Sequence, residues 1–410
     1  MVNERYENGF LRRVRASMNG EITHLPNPLG RMNQVFRLSQ SRYTLMIGAS
    51  GSGKTSLADY MYIPKPFEFV QENPEVYWEV LYYSLERKEE YKHAKWLSWF
   101  IKRDHDMLIP GDDLIGDGDN PVNDAGYKLI ESYNETMSKL LSHIRLTDGK
   151  ITLDVIERGI KERAHALGVL YYSDEEAVYS SHQVTYIERF DDKNLTEQTE
   201  AGVRRYVELE HKGTKFKVYA DDRRYFLHNP KSFVFIVVDG INLFRDKKTI
   251  DDLSIMLANA RDIYSFSPVV VSQQNRSMGD INRLKQHGED LSPQLEDVYM
   301  SSQMSFDADL VLGLFDPVRY KSISKKGEYL GYKIKPLPTD PPPVYSMLHP
   351  VKGFSRFRSL HILKNTYGID GGAFGMKFTG ESNHFDVLPK LDEEGEAEML
   401  KIYQEIAQGK

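Results

Sequence analysis

One octapeptide, GASGSGKT at residues 48–55, constrains the fold of this chain more than any other segment. It fits the pattern G-x-x-x-x-G-K-[ST] in full. The apolar segment YTLMI precedes it, and the helix-like segment SLADYM follows it. A strand, a glycine-rich loop and a helix in this order bind phosphate, because the loop N–H groups and the positive helix end face the phosphate oxygens. The segment therefore predicts a nucleotide-binding α/β domain.

The residues of this loop have distinct expected roles. Lys54 is expected to reach the β- and γ-phosphates, and the Thr55 hydroxyl is expected to be a ligand of Mg²⁺. The other nucleotide-binding residues are expected to be Gly48, Ala49, Ser50, Gly51, Ser52, Gly53 and Ser56. The motif thus predicts a bound nucleotide together with Mg²⁺.

Five apolar segments have the composition of buried strands. They lie at residues 43–48, 78–85, 233–239, 268–274 and 308–315. Because helical stretches separate these β-rich segments, they predict a parallel sheet in an α/β domain. A sixth segment, at 359–365, is a candidate to extend the sheet, and residues 206–227 are expected to form a β-hairpin or a small meander.

Composition excludes several other classes of protein. The chain has 410 residues, of which 40% are hydrophobic, and this is enough to bury a large core. It has no cysteine, which excludes disulfides and thiolate metal sites and favours a reducing, cytoplasmic location. The longest apolar runs have the length of strands and the N-terminus lacks an apolar signal sequence, so no membrane association is expected. The net charge of −7 gives no overall attraction to nucleic acid, so any such binding requires local basic loops.

Two of the predicted strands end next to a carboxylate. FVFIVVD ends in Asp239, and a rigid buried strand that ends in Asp is suited to supply a second ligand of Mg²⁺. Glu86 follows WEVLYYSL and emerges at the carboxyl end of that strand, where ligands bind in parallel sheets. Glu86 is therefore a candidate to orient or deprotonate the water that attacks the γ-phosphate. The alternative is that Glu86 only begins the next helix.

The order of the motifs resembles that of a known family. After the phosphate loop come SLE, VVDGINLF, VVVSQQNRSM and MSFDADLVLGL, and the loop is preceded by HLPNPLGRMNQVFRLSQSRYTLMIG. Together they resemble the ATPase core of the DnaB-like replicative helicases, the RecA-like ring helicases of bacteria and phages. The resemblance covers residues 23–378, apart from inserts. It implies a RecA-like P-loop ATPase with a mostly parallel central sheet flanked by helices, and a small β insertion.

The resemblance also implies cofactors, partners and an origin. The cofactors would be ATP and Mg²⁺, and the protein would act on single-stranded DNA as a homo-hexamer, with a primase or loader protein as a possible partner. Glu86 would be the catalytic carboxylate. Gln273, at the end of VVVSQ, would sense the γ-phosphate, the alternative being a polar strand terminus without a role in catalysis. The small size and the lack of accessory domains suggest a phage or mobile-element version, located in the host cytoplasm.

One family feature is incomplete in this chain. The segment SLHILKNTYGIDGG resembles the one that reaches into the neighbouring subunit's nucleotide with a lysine and, two residues later, an arginine. Lys364 matches the lysine, but Thr366 stands where the arginine is expected. Either Lys364 acts alone, or Arg356 or Arg358 substitutes. Without a substitute, hydrolysis is expected to be slow, since such an arginine contributes about 10³-fold or more.

The resemblance assigns DNA binding to the loops after two strands. The basic residues at these positions are Arg245, Lys247, Lys248, Arg276, Arg283 and Lys285. Their charges are suited to follow a phosphate backbone without reading its sequence. The alternative is that they are solvated loop charges.

The expected organisation has three parts. Residues 1–20 form an N-terminal linker helix or, alternatively, a frayed basic tail, and residues 21–385 form the ATPase core with insertions near 104–125 and 170–230. Residues 386–410 form a C-terminal helical tail.

Three functions are compatible with the sequence. The first is a hexameric ATP-driven helicase that translocates on single-stranded DNA and unwinds duplex. The second is a RecA-like ATPase of recombination or signalling that binds DNA or protein without unwinding, which the absent arginine favours. The third, a non-catalytic nucleotide-binding scaffold, is disfavoured by intact Lys54, Thr55, Glu86 and Asp239.

Overall fold

A nine-stranded sheet forms the centre of the protein. The computed structural model describes residues 24–173, 223–274, 291–298, 302–340 and 345–409, and the short segments 14–15, 18, 186–188, 198–200, 204–211 and 214–219. The strands are β1 His24–Leu25, β2 Leu38–Ser39, β3 Thr44–Gly48, β4 Tyr77–Ser84, β5 Ile144–Asp148, β6 Gly168–Ser173, β7 Tyr186–Glu188, β8 Gln198–Glu200, β9 Arg204–His211, β10 Thr214–Tyr219, β11 Arg223–Leu227, β12 Ser232–Asp239, β13 Ser267–Gln273, β14 Leu310–Phe315, β15 Glu328–Tyr329, β16 Tyr332–Lys333, β17 Phe357–Asn365, β18 Ala373–Thr379 and β19 His384–Val387.

The helices alternate with these strands through most of the chain. They are α1 Lys54–Tyr62, α2 Pro64–Glu72, α3 Glu89–His105, α4 Gly111–Leu114, α5 Asp124–Ser132, α6 Asn134–Ser142, α7 Leu153–Leu167, α8 Lys247–Tyr264, α9 Ser302–Asp307 and α10 Glu393–Ala407. Short 3₁₀ helices occur at Gly30–Met32, Ile241–Leu243 and Leu295–Asp297.

The order of the central sheet is β19-β18-β17-β14-β3-β13-β12-β4-β5. The neighbours from β14 to β5 pair in parallel, whereas β17, β18 and β19 are antiparallel at one edge. The mostly parallel α/β fold predicted from the sequence is confirmed, and all five predicted strands are present. The segment at 359–365 also joins the sheet, as part of β17.

The central parallel strands β3, β12, β13 and β14 are mostly apolar and buried because helices cover both faces of the sheet, whereas the edge strand β5 is partly exposed. All residues of β12 are buried. Phe233 and Phe235 belong to the core cluster that contains residues of α1, α2 and α3, whereas Val234 and Ile236 belong to the cluster that contains residues of α7 and α8. This alternation follows from the two-residue repeat of a strand, which turns successive side chains to opposite faces.

Four smaller antiparallel sheets and a third core cluster complete the described part of the fold. Two of the sheets have three strands, β6 with β7 and β11 and β8 with β9 and β10, and two have two strands, β1 with β2 and β15 with β16. The C-terminal helix α10 buries Met399 and Ile406 in a cluster with Tyr332 and Ile334, so it packs on the protein rather than extending into solvent. None of the described helices has the length and apolar character needed to cross a bilayer.

Two of the sequence predictions concern residues that lie largely outside the described part of the chain. The predicted N-terminal helix at residues 1–20 lies outside the described residues except for positions 14–15 and 18. Three of the basic residues assigned to DNA, Arg276, Arg283 and Lys285, also lie outside them.

Candidate nucleotide-binding site

The phosphate loop joins β3 to α1 at the carboxyl end of the parallel strands. Gly53, which precedes the helix, has φ +101°, a left-handed conformation that glycine adopts without strain. Gly48 lies close to β14, because a Cβ at this position would be 2.4 Å from the Leu314 carbonyl oxygen. Glycine is therefore required at one position by backbone conformation and at the other by the spacing of two strands.

Lys54 is buried at the start of α1. Its Nζ donates a hydrogen bond to the carbonyl oxygen of Ala49, 2.9 Å away, so the side chain folds back over the loop. Burial lowers the pKa of Lys54 to about 8, although the carboxylates of Glu86 and Asp239 oppose this shift. The lysine is thus already positioned at the loop, where a triphosphate would add negative charge beside its ammonium.

Thr55 and Asp239 meet where a metal ion would be held. The Thr55 Oγ1 donates to Oδ1 of Asp239 at 2.8 Å, although the two residues are 184 positions apart in the chain. The hydroxyl and the carboxylate are oxygen donors of the kind that Mg²⁺ prefers. Among the described residues no group of three or more His, Cys, Asp or Glu side chains is arranged to hold a metal. The residues present therefore fit an ion that takes its other ligands from phosphate and water.

Glu86 lies beside Asp239 at the same edge of the sheet. The N–H of Leu85 donates to the carbonyl oxygen of Asp239 at 3.0 Å, which continues the pairing of β4 with β12 beyond Ser84. A Cβ on Gly240 would be 2.5 Å from Cγ of Glu86, so the absence of a side chain at Gly240 leaves room for this glutamate. Glu86 is exposed to the cavity above the phosphate loop.

A cavity of about 430 Å³ brings these residues together. Gln273 also lines it, because its strand β13 pairs with β3 in a register that places Gln273 opposite Gly48. The side chain of the next residue, Gln274, donates instead to Asp297 at 2.6 Å. The cavity is lined by Ser50, Gly51, Gly53, Lys54, Thr55, Ser56, Asp59, Glu86, Arg87, Tyr91, Lys92, Lys95, Asp239, Gly240, Asn242, Val271, Ser272, Gln273, Phe378, Gly380 and Asn383.

Lys92 is a site residue that the sequence analysis missed. It is buried on α3, and its Nζ lies 3.0 Å from Oδ2 of Asp239. Burial opposes its charge, but the carboxylates of Asp239 and Asp59 outweigh this effect and raise the pKa of Lys92. The sequence does indicate that Lys92 is buried. It precedes Trp96 by four residues and Trp99 by seven, so it shares their apolar helix face.

Two arginines contact the phosphate loop from within the chain. The guanidinium of Arg319, on the turn after β14, donates to the carbonyl oxygen of Ser50. Arg358, on β17, donates to the carbonyl oxygen of Ser52 at 2.8 Å and forms an ion pair with Asp316 at 3.2 Å. Arg319 was not singled out in the sequence, because it belongs to no motif and reaches the loop only through the parallel pairing of β14 with β3.

The candidates for a contact with a neighbouring subunit lie in different environments. Arg356 is buried and pairs with Glu381 at 3.1 Å, so it and Arg358 are both engaged within their own chain. Lys364 lies near the end of β17, and its Nζ donates to the carbonyl oxygens of Ser305 and Phe306 at 2.9 Å each. Lys364 does not line the cavity of its own chain.

The described basic residues assigned to DNA follow β12. Arg245 comes after the 3₁₀ helix Ile241–Leu243, and Lys247 and Lys248 are the first residues of α8. All three are exposed. They therefore lie on the segment that continues from Asp239, at the edge of the sheet that carries the phosphate loop.

Comparisons with known proteins identify the same architecture in solved structures. No protein-family model matches the chain, and no curated protein sequence matches it either. The solved structure of one ATPase domain is similar with a TM-score of 0.56 at 14% identity, covering 93% of this chain and 99% of that chain. The structure of a DnaB-like replicative helicase, solved to show its interactions with primase, is similar with a TM-score of 0.54 at 13% identity, covering 92% of this chain and 67% of that chain. The chain therefore has the fold of the ATPase domains of DnaB-like replicative helicases.

Proposed function

We propose that this protein is an ATP-dependent replicative DNA helicase that hydrolyses ATP to translocate on single-stranded DNA and unwind duplex. The observation that carries the proposal is the meeting of Lys54, the Thr55–Asp239 pair and Glu86 around one cavity at the carboxyl ends of β3, β4 and β12. Phosphoryl transfer requires groups that bind the phosphates, hold the metal ion and orient the attacking water.

Each of these residues has its own role in the proposed reaction. The backbone of the loop and Lys54 hold the phosphates, and Thr55 with Asp239 would hold Mg²⁺, which neutralises charge on the phosphates when it is bound. Glu86 orients the attacking water and accepts its proton, and Gln273 donates to a γ-phosphate oxygen. Glu86 is exposed and lines the same cavity as the phosphate loop, so water can reach its carboxylate.

The second half of the proposal concerns DNA and assembly. Arg245, Lys247 and Lys248 are exposed next to the segment that carries Asp239, so a phosphate backbone bound there is placed to respond to the state of the nucleotide. One of the similar structures is a helicase described with its interactions with primase, and we extend this to a primase or loader as a candidate partner. A homo-hexamer is the proposed assembly, in which Lys364 would act on the neighbouring subunit's nucleotide.

A second candidate is a RecA-like ATPase that binds DNA or protein without unwinding. Thr366 favours it, because the expected arginine is absent and both Arg356 and Arg358 are held by contacts within the chain. Slow hydrolysis that DNA does not stimulate would support this candidate.

The decisive experiment measures ATP hydrolysis with and without single-stranded DNA, and strand displacement on a forked duplex. We expect the wild-type protein to be stimulated by DNA and to separate the strands. Glu86→Gln is expected to keep nucleotide binding and to reduce hydrolysis by about 10²–10⁴-fold, with loss of unwinding.

The matched control is Glu90→Gln. This substitution removes an exposed carboxylate at the start of α3, the helix that follows Glu86, from a residue that does not line the cavity, so activity should be retained. Hydrolysis that is indifferent to single-stranded DNA, or full activity of Glu86→Gln, would contradict the proposed function.

A further inference from the structure

A buried polar cluster contains the carboxylate of Asp239, the proposed ligand of Mg²⁺. It comprises Asp59 from α1, Tyr82 from β4, Lys92 from α3 and Asp239 from β12, and we call these four residues the Lys92 cluster. Their exposed fractions are 2%, 0%, 1% and 1%, so all four are removed from solvent. The cluster contains two carboxylates and a single ammonium group.

The contacts in the Lys92 cluster divide the two oxygens of Asp239 between different partners. Oδ1 accepts from Thr55 at 2.8 Å, on the side of the phosphate loop. Oδ2 accepts from the ammonium of Lys92 at 3.0 Å and lies 3.4 Å from the hydroxyl of Tyr82. Because each oxygen is held from its own side, the carboxylate has one orientation.

The second carboxylate of the cluster positions the ammonium. Asp59 Oδ2 lies 3.6 Å from Nζ of Lys92, and Asp59 Oδ1 accepts from the hydroxyl of Tyr82 at 2.8 Å. Lys92 also donates to that hydroxyl. Three polar groups from three different elements thus lie around Asp239, and two of them, Asp59 and Lys92, also line the cavity.

Stability alone is a weak explanation for this arrangement. A buried ion pair can often be replaced by well-packed apolar residues without loss of stability, because the removal of charges from water offsets their attraction. The neighbouring positions on the same helix face show that apolar packing is available here, since Trp96 and Trp99 are almost fully buried. The ammonium of Lys92 in direct contact with Asp239 therefore points to an effect on Asp239.

The ammonium of Lys92 reduces the negative charge that a metal ion would meet at Thr55 and Asp239. A fixed positive charge 3.0 Å from Asp239 offsets the negative charge that attracts a divalent cation, and such an effect is strong where water is excluded. Lys92 is closer to Asp239 than to Asp59, so it offsets much of the negative charge that Asp239 presents to the ion. The phosphates of a nucleotide supply the missing negative charge.

We propose that Lys92 is a positioning residue that acts as an internal counter-charge to Asp239, so that Mg²⁺ binds at Thr55 and Asp239 only together with a nucleotide's phosphates. This inference rests on the proposed nucleotide site. It assigns to Lys92 control over the metal requirement rather than contact with the reacting atoms.

The test compares the wild-type protein with Lys92→Met in two measurements that do not require turnover. The first is the melting temperature as a function of Mg²⁺ alone. The second is the Mg²⁺ concentration that gives half-maximal binding of a fluorescent, non-hydrolysable ATP analogue. Mg²⁺ alone should leave the wild-type melting temperature unchanged but raise that of the variant. The half-maximal Mg²⁺ concentration should fall at least about tenfold in the variant, because a unit charge has been removed within a few ångströms.

Two further variants keep the test decisive. Lys102→Met removes a lysine from the same helix at a position that does not line the cavity, and it should behave as the wild type does. The double variant Lys92→Met with Asp59→Leu removes the ammonium and its second carboxylate together, so it should fold even where the single variant does not. Its Mg²⁺ requirement should fall in the same direction but by less, because one negative charge of the cluster is removed together with the ammonium.

The outcomes separate this inference from the proposed function. If the folded variants need as much Mg²⁺ as the wild type and Mg²⁺ alone stabilises none of them, Lys92 has only a structural role and the inference is overturned. If the wild type binds no nucleotide at saturating Mg²⁺, the proposed function fails instead, while the melting measurements with Mg²⁺ alone still decide the role of Lys92.

Discussion

Lys54 illustrates how a single residue can be prepared for a ligand. Its ammonium is buried beside the phosphate loop and is satisfied by a neutral carbonyl oxygen, that of Ala49. Burial lowers the pKa of Lys54 to about 8, because the charged form loses water and the carboxylates of Glu86 and Asp239 offset this loss only in part. A triphosphate would add negative charge beside the ammonium and raise the pKa again.

We therefore predict that nucleotide binding takes up protons at alkaline pH. Above about pH 8 part of the free protein carries a neutral Lys54, and binding of the triphosphate returns the proton, so the apparent nucleotide affinity falls as the pH rises through this region. Titration calorimetry in buffers of different ionisation enthalpy measures the number of protons taken up. We expect uptake at about pH 9 that is absent at about pH 7, where Lys54 is charged before and after binding.

An equal number of protons at both pH values would contradict this account of Lys54. It would mean that the lysine is charged in the free protein throughout the range, and that its burial has no consequence for binding.

At the scale of elements, the position of the phosphate loop depends on how closely β3 and β14 pair. Their register places Gly48 opposite Leu314, and a Cβ at Gly48 would come within 2.4 Å of the Leu314 carbonyl oxygen. That oxygen belongs to the backbone of a buried strand, so it cannot move away as a flexible side chain would. The glycine therefore sets the spacing of the two strands as well as the start of the loop.

Gly48→Ala is predicted to lower the free energy of unfolding by about 1–3 kcal/mol, which is typical of overpacking in a well-packed region. Urea denaturation followed by circular dichroism measures this difference. The same substitution at Gly30, where a Cβ would have no neighbour within 4 Å, is the matched control and should change the free energy by less than about 0.5 kcal/mol. Equal effects of the two substitutions would show that the spacing of β3 and β14 can relax.

At the scale of the whole molecule, the role of Lys364 decides whether the active site is built from one chain or shared between two subunits. Its ammonium caps the last carbonyls of α9, those of Ser305 and Phe306, and it does not line the cavity of its own chain. Lysine at the end of a helix is favoured by the negative end of the helix dipole, so this contact alone is sufficient to hold the side chain. A role in hydrolysis requires a second subunit whose nucleotide lies within reach.

Mixing of two inactive variants tests this role. Lys364→Ala keeps Glu86, and Glu86→Gln keeps Lys364, so an interface between the two variants contains both intact residues if Lys364 acts on its neighbour. An equal mixture, exchanged into common rings, is expected to recover roughly a quarter of the wild-type ATP hydrolysis, because a quarter of the interfaces are of this kind. Each variant alone should show at least about a tenfold reduction.

Activity of the mixture that equals the sum of the separate variants would contradict a role across the interface. Full activity of Lys364→Ala alone would assign the lysine to the capping of α9.

The sequence by itself determined the local features of this protein. The phosphate-loop motif, the five apolar strands and the carboxylates Asp239 and Glu86 at two strand ends could be identified because each depends on neighbours a few residues away. The parallel sheet followed from the alternation of strands and helices. The sequence also indicated that Thr366 replaces an expected arginine, but it could not indicate what Arg356 and Arg358 contact.

Only the tertiary structure decided which distant residues meet. Lys92 reaches Asp239 across 147 positions, and Arg319 reaches Ser50 across 269, in both cases because adjacent parallel strands bring their carboxyl ends to the same edge of the sheet. A buried lysine on an apolar helix face has no interpretation until its carboxylate partners are located. The physical reason is that burial and charge pairing depend on the packing of separate elements, which local sequence patterns do not specify.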